Sequence, residues 1–442
     1  MKMIENLGDW QRTHYSNEIK PEMDNNEVIV MGWVRELRDI GKLKFIKLAD
    51  REGFIQITAK GGEVKPNLIK KIECLGREYV IAVKGIVKRN KEAPRGIEII
   101  PIDIKILNTS EKPLPLELET KKTPAELKTR LDARVLDLRK PEVAAIFNIS
   151  DTLKRSFFDY FDDQGFIDVN TPLIVGAAAE GGATLFKIDY FGKDAYLNQS
   201  PQLYKQMLLA SGFDKVSIVS HVFRAEPHET VRHVNEIIQM DIEEAFVRDE
   251  EDVLKHFDGY FIYFIDNLNK LCKDDFEILK KEIPFIETPI KRITYDDALN
   301  LLKKNKISLR WGEDLIPEAE KKLCEIFNPV IITKWPSEVK PFYCMKEPNN
   351  PKITRGFDLL FNGIEISSGA QREHRYEELV KNMKEKKLDP KDFKFYLDAF
   401  LYGCPPHAGW SIGLERLTMA LLNLKNIREA TLFPRTKERL FP

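Results

Sequence analysis

Between Phe223 and Glu243 the chain reads FRAEPHETVRHVNEIIQMDIE, two apolar runs joined by a polar turn, with cations and anions alternating along them. Arg224 and Arg232 stand eight residues apart across PHET, so an antiparallel hairpin would carry both guanidiniums to one end of a sheet. Planar guanidinium forks match phosphate oxygens, which makes such a hairpin a floor for a nucleoside triphosphate. Glu226 and Glu243 could accept from an adenine amino group or hold a metal, and His233 adds a donor beside Arg232. The same charge pattern also describes a salt-bridged surface hairpin, so the rest of the chain has to separate the two.

Two further clusters do so. In GCPPHAGWSIGLERLTMALLNL, residues 403–424, Gly409 and Gly413 let a backbone approach a ligand, and helical apolar spacing begins at Leu414. Arg416 then falls in the first turns of a helix, where free amide donors already favour a phosphate. FDLLFNGIEISSGAQREH, residues 357–374, alternates apolar and polar residues before a small-residue turn. Glu365 and Ser368 offer the hard oxygen ligands that magnesium takes. Arg372 is placed to clasp a carboxylate through two parallel hydrogen bonds.

FRAE with RH eight residues on resembles motif 2 of the class II aminoacyl-tRNA synthetases, and GLER resembles their motif 3. FFDYFDDQGFIDVNTPLIV, residues 157–175, is similar to the looser motif 1. The whole chain is similar to the aspartyl-tRNA synthetase family of the archaeal and eukaryotic type. RTHYSNEI, RLDARVLDLR, AEGGAT, QSPQLYKQ and the terminal NIREATLFPR follow in order.

The resemblance implies a two-step reaction, with aspartate activated by ATP and the aspartyl group passed from the adenylate to tRNA. Arg224, on the α-phosphate, and Arg416, on the γ-phosphate, would be the catalytic cations, with Arg232 and His233 bracing a bent triphosphate. Ala225, Glu226, Val234, Glu365, Gly413, Leu414 and Glu415 complete the implied ATP contacts, and Glu365 with Ser368 would hold Mg2+. The implied aspartate site is Glu180, Ser200, Gln202, Lys205, Arg224, Asp241, Ser368 and Arg372. Lys205 would meet the side-chain carboxylate, and Asp241 would accept from Lys205 or from the substrate ammonium. Glu243 is expected on the adenine or metal side. Glu180 belongs to AAAEGGAT, similar to the family's flipping lid, to which Gly181 and Gly182 give freedom. The similar asparagine enzymes usually lack a lysine at position 205. An amide against Lys205 and Arg372 would leave buried charges unpaired, which selects aspartate.

These residues need a large scaffold, and 442 residues with 43% hydrophobic and 10% aromatic content supply two or three globular units. The first 107 residues read as short alternating strands with glycine turns and one helix-like segment, PNLIKKIECLG, between the third and fourth. That predicts a five-stranded OB-fold barrel. The net charge is −1, yet these residues hold 20 Lys and Arg against 16 Asp and Glu, a local surplus that suits a polyanion. By the family's pattern Phe45 would stack on an anticodon base, Gln56 would read its edge and Glu98 would assist. In this family two barrel positions track whether only tRNA(Asp) or also tRNA(Asn) is charged. Strict members carry a Trp and Lys pair and relaxed members a His and Pro pair, where this chain has Arg35 and Pro94, leaning to relaxed use.

Residues 108–132 are Pro-punctuated and charged, as a linker should be. From 133 to 442 amphipathic helices at 141–164, 251–271 and 376–387 mix with strands, which predicts an α+β catalytic domain, an antiparallel sheet flanked by helices. Residues 276–351 read as an insertion packing on it. No GxxxxGK or GxGxxG loop occurs, which disfavours a parallel nucleotide fold. Five scattered cysteines read as reduced thiols of a cytoplasmic protein, and no apolar run suits a membrane span. Motif 1, at 165–172, implies a homodimer. The competing readings are an asparaginyl-tRNA synthetase and a non-catalytic tRNA-binding paralogue, the latter having no reason to keep Arg224, Glu226, Arg416, Glu365 and Ser368 together. An amidating paralogue would lack the barrel.

Overall fold

A computed structural model describes residues 4–119, 125–176, 185–226 and 230–442. The chain divides into two compact units, residues 1–124 with 138–141, and residues 125–137 with 142–442.

In the first unit five strands close a barrel in the order β1-β2-β3-β5-β4. They are β1 (Glu27–Ile40), β2 (Leu43–Asp50), β3 (Gly53–Lys60), β4 (Val80–Arg89) and β5 (Ile97–Asn108). Alternation explains the closure, since Val28, Val30, Ile46, Leu48, Ile55, Ile57, Val83 and Ile99 all turn inward to one core. Gly32 lets β1 cross β2 closely, because a Cβ there would stand 2.1 Å from the Ala49 carbonyl oxygen. The helix Pro66–Glu73 lies between β3 and β4, as the sequence predicts, and buries Leu68 and Ile72. The barrel unit does not end at residue 107. Leu116 and Leu118 are buried, and the division falls after Pro124, so much of the predicted linker belongs to this unit.

The second unit is built on β6 (Ile167–Asp168), β7 (Ile174–Val175), β8 (Lys187–Tyr190), β9 (Lys193–Leu197), β10 (Lys215–Phe223) and β11 (Glu236–Ala245). It continues with β12 (Lys291–Thr294), β13 (Val330–Thr333), β14 (Lys346–Glu347), β15 (Asn350–Thr354), β16 (Gly356–Phe361), β17 (Ile364–Gln371) and β18 (His407–Gly413). Eight of them form one sheet in the order β12-β13-β16-β17-β18-β11-β10-β6. The sheet is mixed, correcting the antiparallel expectation, because the edge pairs β12–β13 and β10–β6 run parallel.

One face of this sheet is closed by the long helices Pro141–Asp163 and Glu251–Leu271, whose aromatic stripes pack on Trp410. Phe257 stacks on that indole at 4.3 Å, and Phe157 and Phe161 meet it edge-on. Residues 276–351 are not an insertion resting on the sheet. They supply β12 and β13, and the latter is buried on both faces, with Ile331 in the main core and Val330 and Ile332 in a second core formed with Tyr295, Leu302 and Leu323. A run such as VIIT, apolar without alternation, is what such a doubly covered strand requires.

Candidate functional site

The opening hairpin is real, but its turn is long. β10 and β11 pair from Lys215↔Glu244 to Phe223↔Glu236, and residues 224–235 connect them. Along β11, Met240 and Ile242 enter the core, so period two sends Gln239, Asp241 and Glu243 together to the other face. Register then builds a row of oxygen-bearing residues across four strands: Asp241 opposite Ser411, Ser411 opposite Ser368, Ser368 opposite Asp358. The next row is Glu243, Gly409, Ala370 and Gly356. A Cβ on Gly409 would stand 2.3 Å from a Glu243 carboxylate oxygen, so only glycine leaves that acid its place.

Glu243 therefore joins the residues expected to meet aspartate, and it does not line the cleft of the residues expected to meet ATP and metal. Its carboxylate takes Arg372 Nε at 2.8 Å and Lys205 Nζ at 3.2 Å, while Lys205 also reaches Asp241 at 2.9 Å. Lys205 comes from the helix Gln202–Ala210, whose inward face also carries Gln202, the acceptor of Arg372 Nη2 at 3.1 Å. Ser200 accepts from the Gln202 amide at 3.2 Å. Burial would raise the Glu243 carboxyl, but Arg372, Lys205 and His407 outweigh it and hold the group at about 2. Burial pushes Asp241 up against the pull of Lys205, and Glu243 adds to the rise. One Asp241 oxygen is buried without a hydrogen-bond partner among the described residues. Both cations are thus already paired, so an amide ligand would not strand them, and the charge argument against asparagine loses its force. Glu180, Gly181 and Gly182 lie outside the described residues.

Beyond the row, one cleft gathers Arg224, Glu226, Arg232, His233, Val234, Glu365, Ser368, Gly413, Glu415 and Arg416, with Ala225 half-buried in the same loop. Arg416 donates to the Glu365 carbonyl at 3.0 Å, and neither Arg224 nor Arg416 has an ion pair among the described residues. Arg232 is different, since Glu320 meets it at 2.5 Å. Burial lowers His233 against the pull of Glu226, and Arg416, Arg224 and Arg232 deepen the fall, so the ring is neutral at pH 7. Leu414 is buried in the core, leaving only its backbone for a ligand. Glu415 lines the cleft but its carboxylate accepts from the Ile238 amide at 3.1 Å, and burial carries its pKa to about 7.

For a magnesium ion, Glu365 and Ser368 are joined by Asp358, which sequence reasoning missed. Asp358 is 3% exposed and takes Lys340 Nζ at 2.5 and 2.6 Å, and that amine stands 3.5 Å from Ser368 Oγ. Burial and the nearby Asp358 raise Glu365 to about 7 against Arg416 and Lys340. Crowded acidic oxygens beside cationic side chains fit a hard cation that brings phosphate oxygens with it. They do not make a closed cage, since no cluster of three or more metal-ligating His, Cys, Asp or Glu residues occurs among the described residues. The signal for Asp358 was its place seven residues before Glu365 on a facing strand, invisible without the turn between them.

The barrel carries a separate cleft of about 630 Å³, lined by Phe45, Gln56, Glu98, Pro94, Lys47 and Arg38 among others. Phe45 is half-buried on the outer face of β2 and is no core aromatic. Gln56 donates to Glu98 at 3.0 Å, and Asn90 donates to the same carboxylate at 2.9 Å. Arg35 is elsewhere. It is 7% exposed, pairs with Glu78 at 3.1 Å and donates to the Arg139 carbonyl at 3.3 Å, so it does not line the cleft. Sequence neighbours on a strand face opposite ways, and β1 is bulged at this point.

Residues 126–437 match the family of class II tRNA synthetases (D, K and N), and residues 28–107 match the OB-fold nucleic acid binding domain. The chain belongs to the class II tRNA synthetases. The synthetase is 48% identical over 437 residues to the "Aspartate--tRNA(Asp/Asn) ligase" of Methanothermobacter thermautotrophicus, covering 99% of this chain and 100% of that one. It is 47% identical to the "Aspartate--tRNA(Asp) ligase" of Pyrococcus furiosus, covering 98% and 100%. Among solved structures it is similar to the asparaginyl-tRNA synthetase of Pyrococcus horikoshii complexed with asparaginyl-adenylate. That likeness has a TM-score of 0.91 and 35% identity over 98% of this chain and 100% of the other. No helix among the described residues is long and apolar enough to cross a membrane.

Proposed function

We propose that the chain is an aspartate-tRNA ligase that activates L-aspartate with ATP and charges tRNA(Asp), with relaxed use of tRNA(Asn). The carrying observation is that one sheet face sets the paired Lys205–Arg372–Asp241–Glu243 cluster beside a cleft with two arginines, Arg224 and Arg416, that have no ion pair among the described residues. Full-length identity to relatives named aspartate ligases supports the choice of acid, which pocket charge by itself does not make.

In the first step an α-carboxylate oxygen of aspartate attacks the α-phosphorus of ATP in line, and pyrophosphate leaves. In the second, a hydroxyl of the terminal tRNA ribose attacks the activated carbonyl, and AMP leaves. No protein nucleophile is needed, so catalysis is positioning and charge neutralisation. Arg224 takes the α-phosphate and Arg416 the γ-phosphate. His233, neutral at pH 7, serves as a hydrogen-bonding brace. Glu365 and Ser368, with Asp358, would hold Mg2+, which would supply further neutralisation of phosphate charge. Lys205 and Arg372 face the substrate side-chain carboxylate, Asp241 the ammonium through its unpartnered oxygen. Gln202 and Ser200 orient the ligand from their helix.

Phe45 stacks on an anticodon base in the barrel cleft, where Gln56 and Glu98 read an edge. Pro94 supports relaxed tRNA use and Arg35, committed to Glu78, takes no part in it. The exposed Ile167, Leu173 and Ile174 near the sheet edge support a two-fold interface. ATP–pyrophosphate exchange with aspartate and asparagine compared side by side tests the amino acid. Exchange driven by asparagine as well as by aspartate would overturn it, and failure to acylate a tRNA(Asn) transcript would overturn the relaxed reading.

A further inference from the structure

Glu320 lies on the helix Pro317–Ile326, far in sequence from every motif that lines the triphosphate cleft. It is nevertheless 8% exposed, with its carboxylate at 2.5 Å on Nη1 of Arg232, which lines that cleft. The other arm of that guanidinium donates to the Gly363 carbonyl at 3.0 Å, in the turn between β16 and β17. The fork is therefore held on two sides, by a helix and by a strand turn.

The Arg232 backbone extends the hold. Its amide donates to Thr230 Oγ1 at 3.1 Å, and the same hydroxyl stands 2.6 Å from His233 Nδ1. Fixing the Arg232 side chain thus fixes the return arm of the ATP floor, from Thr230 to Val234, and leaves further guanidinium N–H groups for a ligand. A carboxylate behind a cleft for a triphosphate would repel it unless its charge were committed. Here the commitment is to the one arginine of the cleft with an ion pair among the described residues. Burial raises the Glu320 carboxyl, and Arg232 and Arg416 oppose that rise.

We propose that Glu320 is a positioning residue for ATP, acting through Arg232 to hold the Thr230–Val234 arm against the β- and γ-phosphates. This rests on the ATP reading of the cleft. A side chain that only joined the helix to the sheet would change stability and leave the KM for ATP where it was.

The test is pyrophosphate exchange on the full chain, with ATP varied at saturating aspartate and then the reverse. Glu320→Ala is expected to raise the KM for ATP roughly tenfold with the KM for aspartate within about twofold, the size of a lost uniform-binding contact. Glu320→Gln, which keeps an acceptor in place, should recover most of the loss. The Glu320→Ala and Arg232→Ala double variant should be no worse than Arg232→Ala alone, because one acts through the other. An unchanged KM for ATP in Glu320→Ala, or effects that multiply in the double variant, would overturn the proposal while leaving the ATP reading intact. An unchanged KM in Arg232→Ala would instead remove Arg232 from the ATP site, and the proposal with it. Should Glu320→Ala fail to fold, Glu320→Asp, which withdraws the carboxylate by one methylene, is read in its place with the same expected rise.

Discussion

Replacing Glu243 by glutamine tests the central cluster most directly. This carboxylate is fully enclosed and shared by Arg372 at 2.8 Å and Lys205 at 3.2 Å. Those cations, against burial, hold it at about 2, where an unfolded chain would show about 4.5. At about 1.4 kcal/mol per unit, that difference contributes about 3 kcal/mol of stability at neutral pH. The sign follows from the depression: the contribution is complete above about pH 4.5 and is lost as pH falls towards 2. In Glu243→Gln, Arg372 loses its carboxylate partner and is left with neutral acceptors, Gln202 Oε1 and the Gly409 carbonyl among them, and Lys205 keeps Asp241 as its carboxylate partner. Breaking one side of a buried ion cluster costs about 3–5 kcal/mol, in agreement with the linkage figure. Urea unfolding at pH 7, followed by tryptophan fluorescence, should therefore show the variant less stable by about 3 kcal/mol, with the gap narrowing below about pH 4.5. Added aspartate should restore more stability to the variant than to the parent, since the freed cations gain an anion. A loss under about 1 kcal/mol, the scale of an exposed pair, would falsify the view that both cations depend on this acid.

Arg224→Ala should lower aspartate-dependent pyrophosphate exchange by about 100-fold or more, the usual loss for a charge-stabilising donor, while melting is nearly unchanged; near-normal exchange would refute its phosphate role. Asp241→Asn should raise the KM for aspartate by about tenfold through the lost ammonium partner; an unchanged KM would move the ammonium elsewhere. Phe45→Ala should leave pyrophosphate exchange intact and lower kcat/KM for tRNA by roughly 5- to 150-fold, the worth of one stacked base at about 1–3 kcal/mol; equal losses in both assays would point to a folding role.

Period-two alternation and glycine turns made a barrel of short strands legible, with its helix, Pro66–Glu73, between the third strand and the fourth. The helix Glu251–Leu271 matches its apolar spacing end to end. The mixed character of the catalytic sheet was not legible, because strand direction at its edges depends on which distant segment docks there. The same is true of β12 and β13, whose short apolar runs read equally as part of a packed insertion. Arg224, Arg416, Glu365 and Ser368, singled out from three separate runs, do line one cleft. Asp358 was passed over although it lies in the same run as Glu365, because only the strand turn brings the two together, while Lys340 and Glu320 come from separate segments with no local pattern.

The sequence by itself determined the residue types available: two arginines eight residues apart across a turn, a lysine and an arginine that could meet an acid, and short alternating strands for a barrel. Residue type and local period are properties of the chain, and they survive without knowledge of contacts. Only the tertiary structure decided how those charges are paired. Register places Asp241, Ser411, Ser368 and Asp358 in one row, turns Glu243 toward Arg372 and Lys205, and lets Glu320 claim Arg232. A buried charge takes its energy from the partners that strand register and helix docking bring within a few ångströms, and no run of neighbouring residues specifies those.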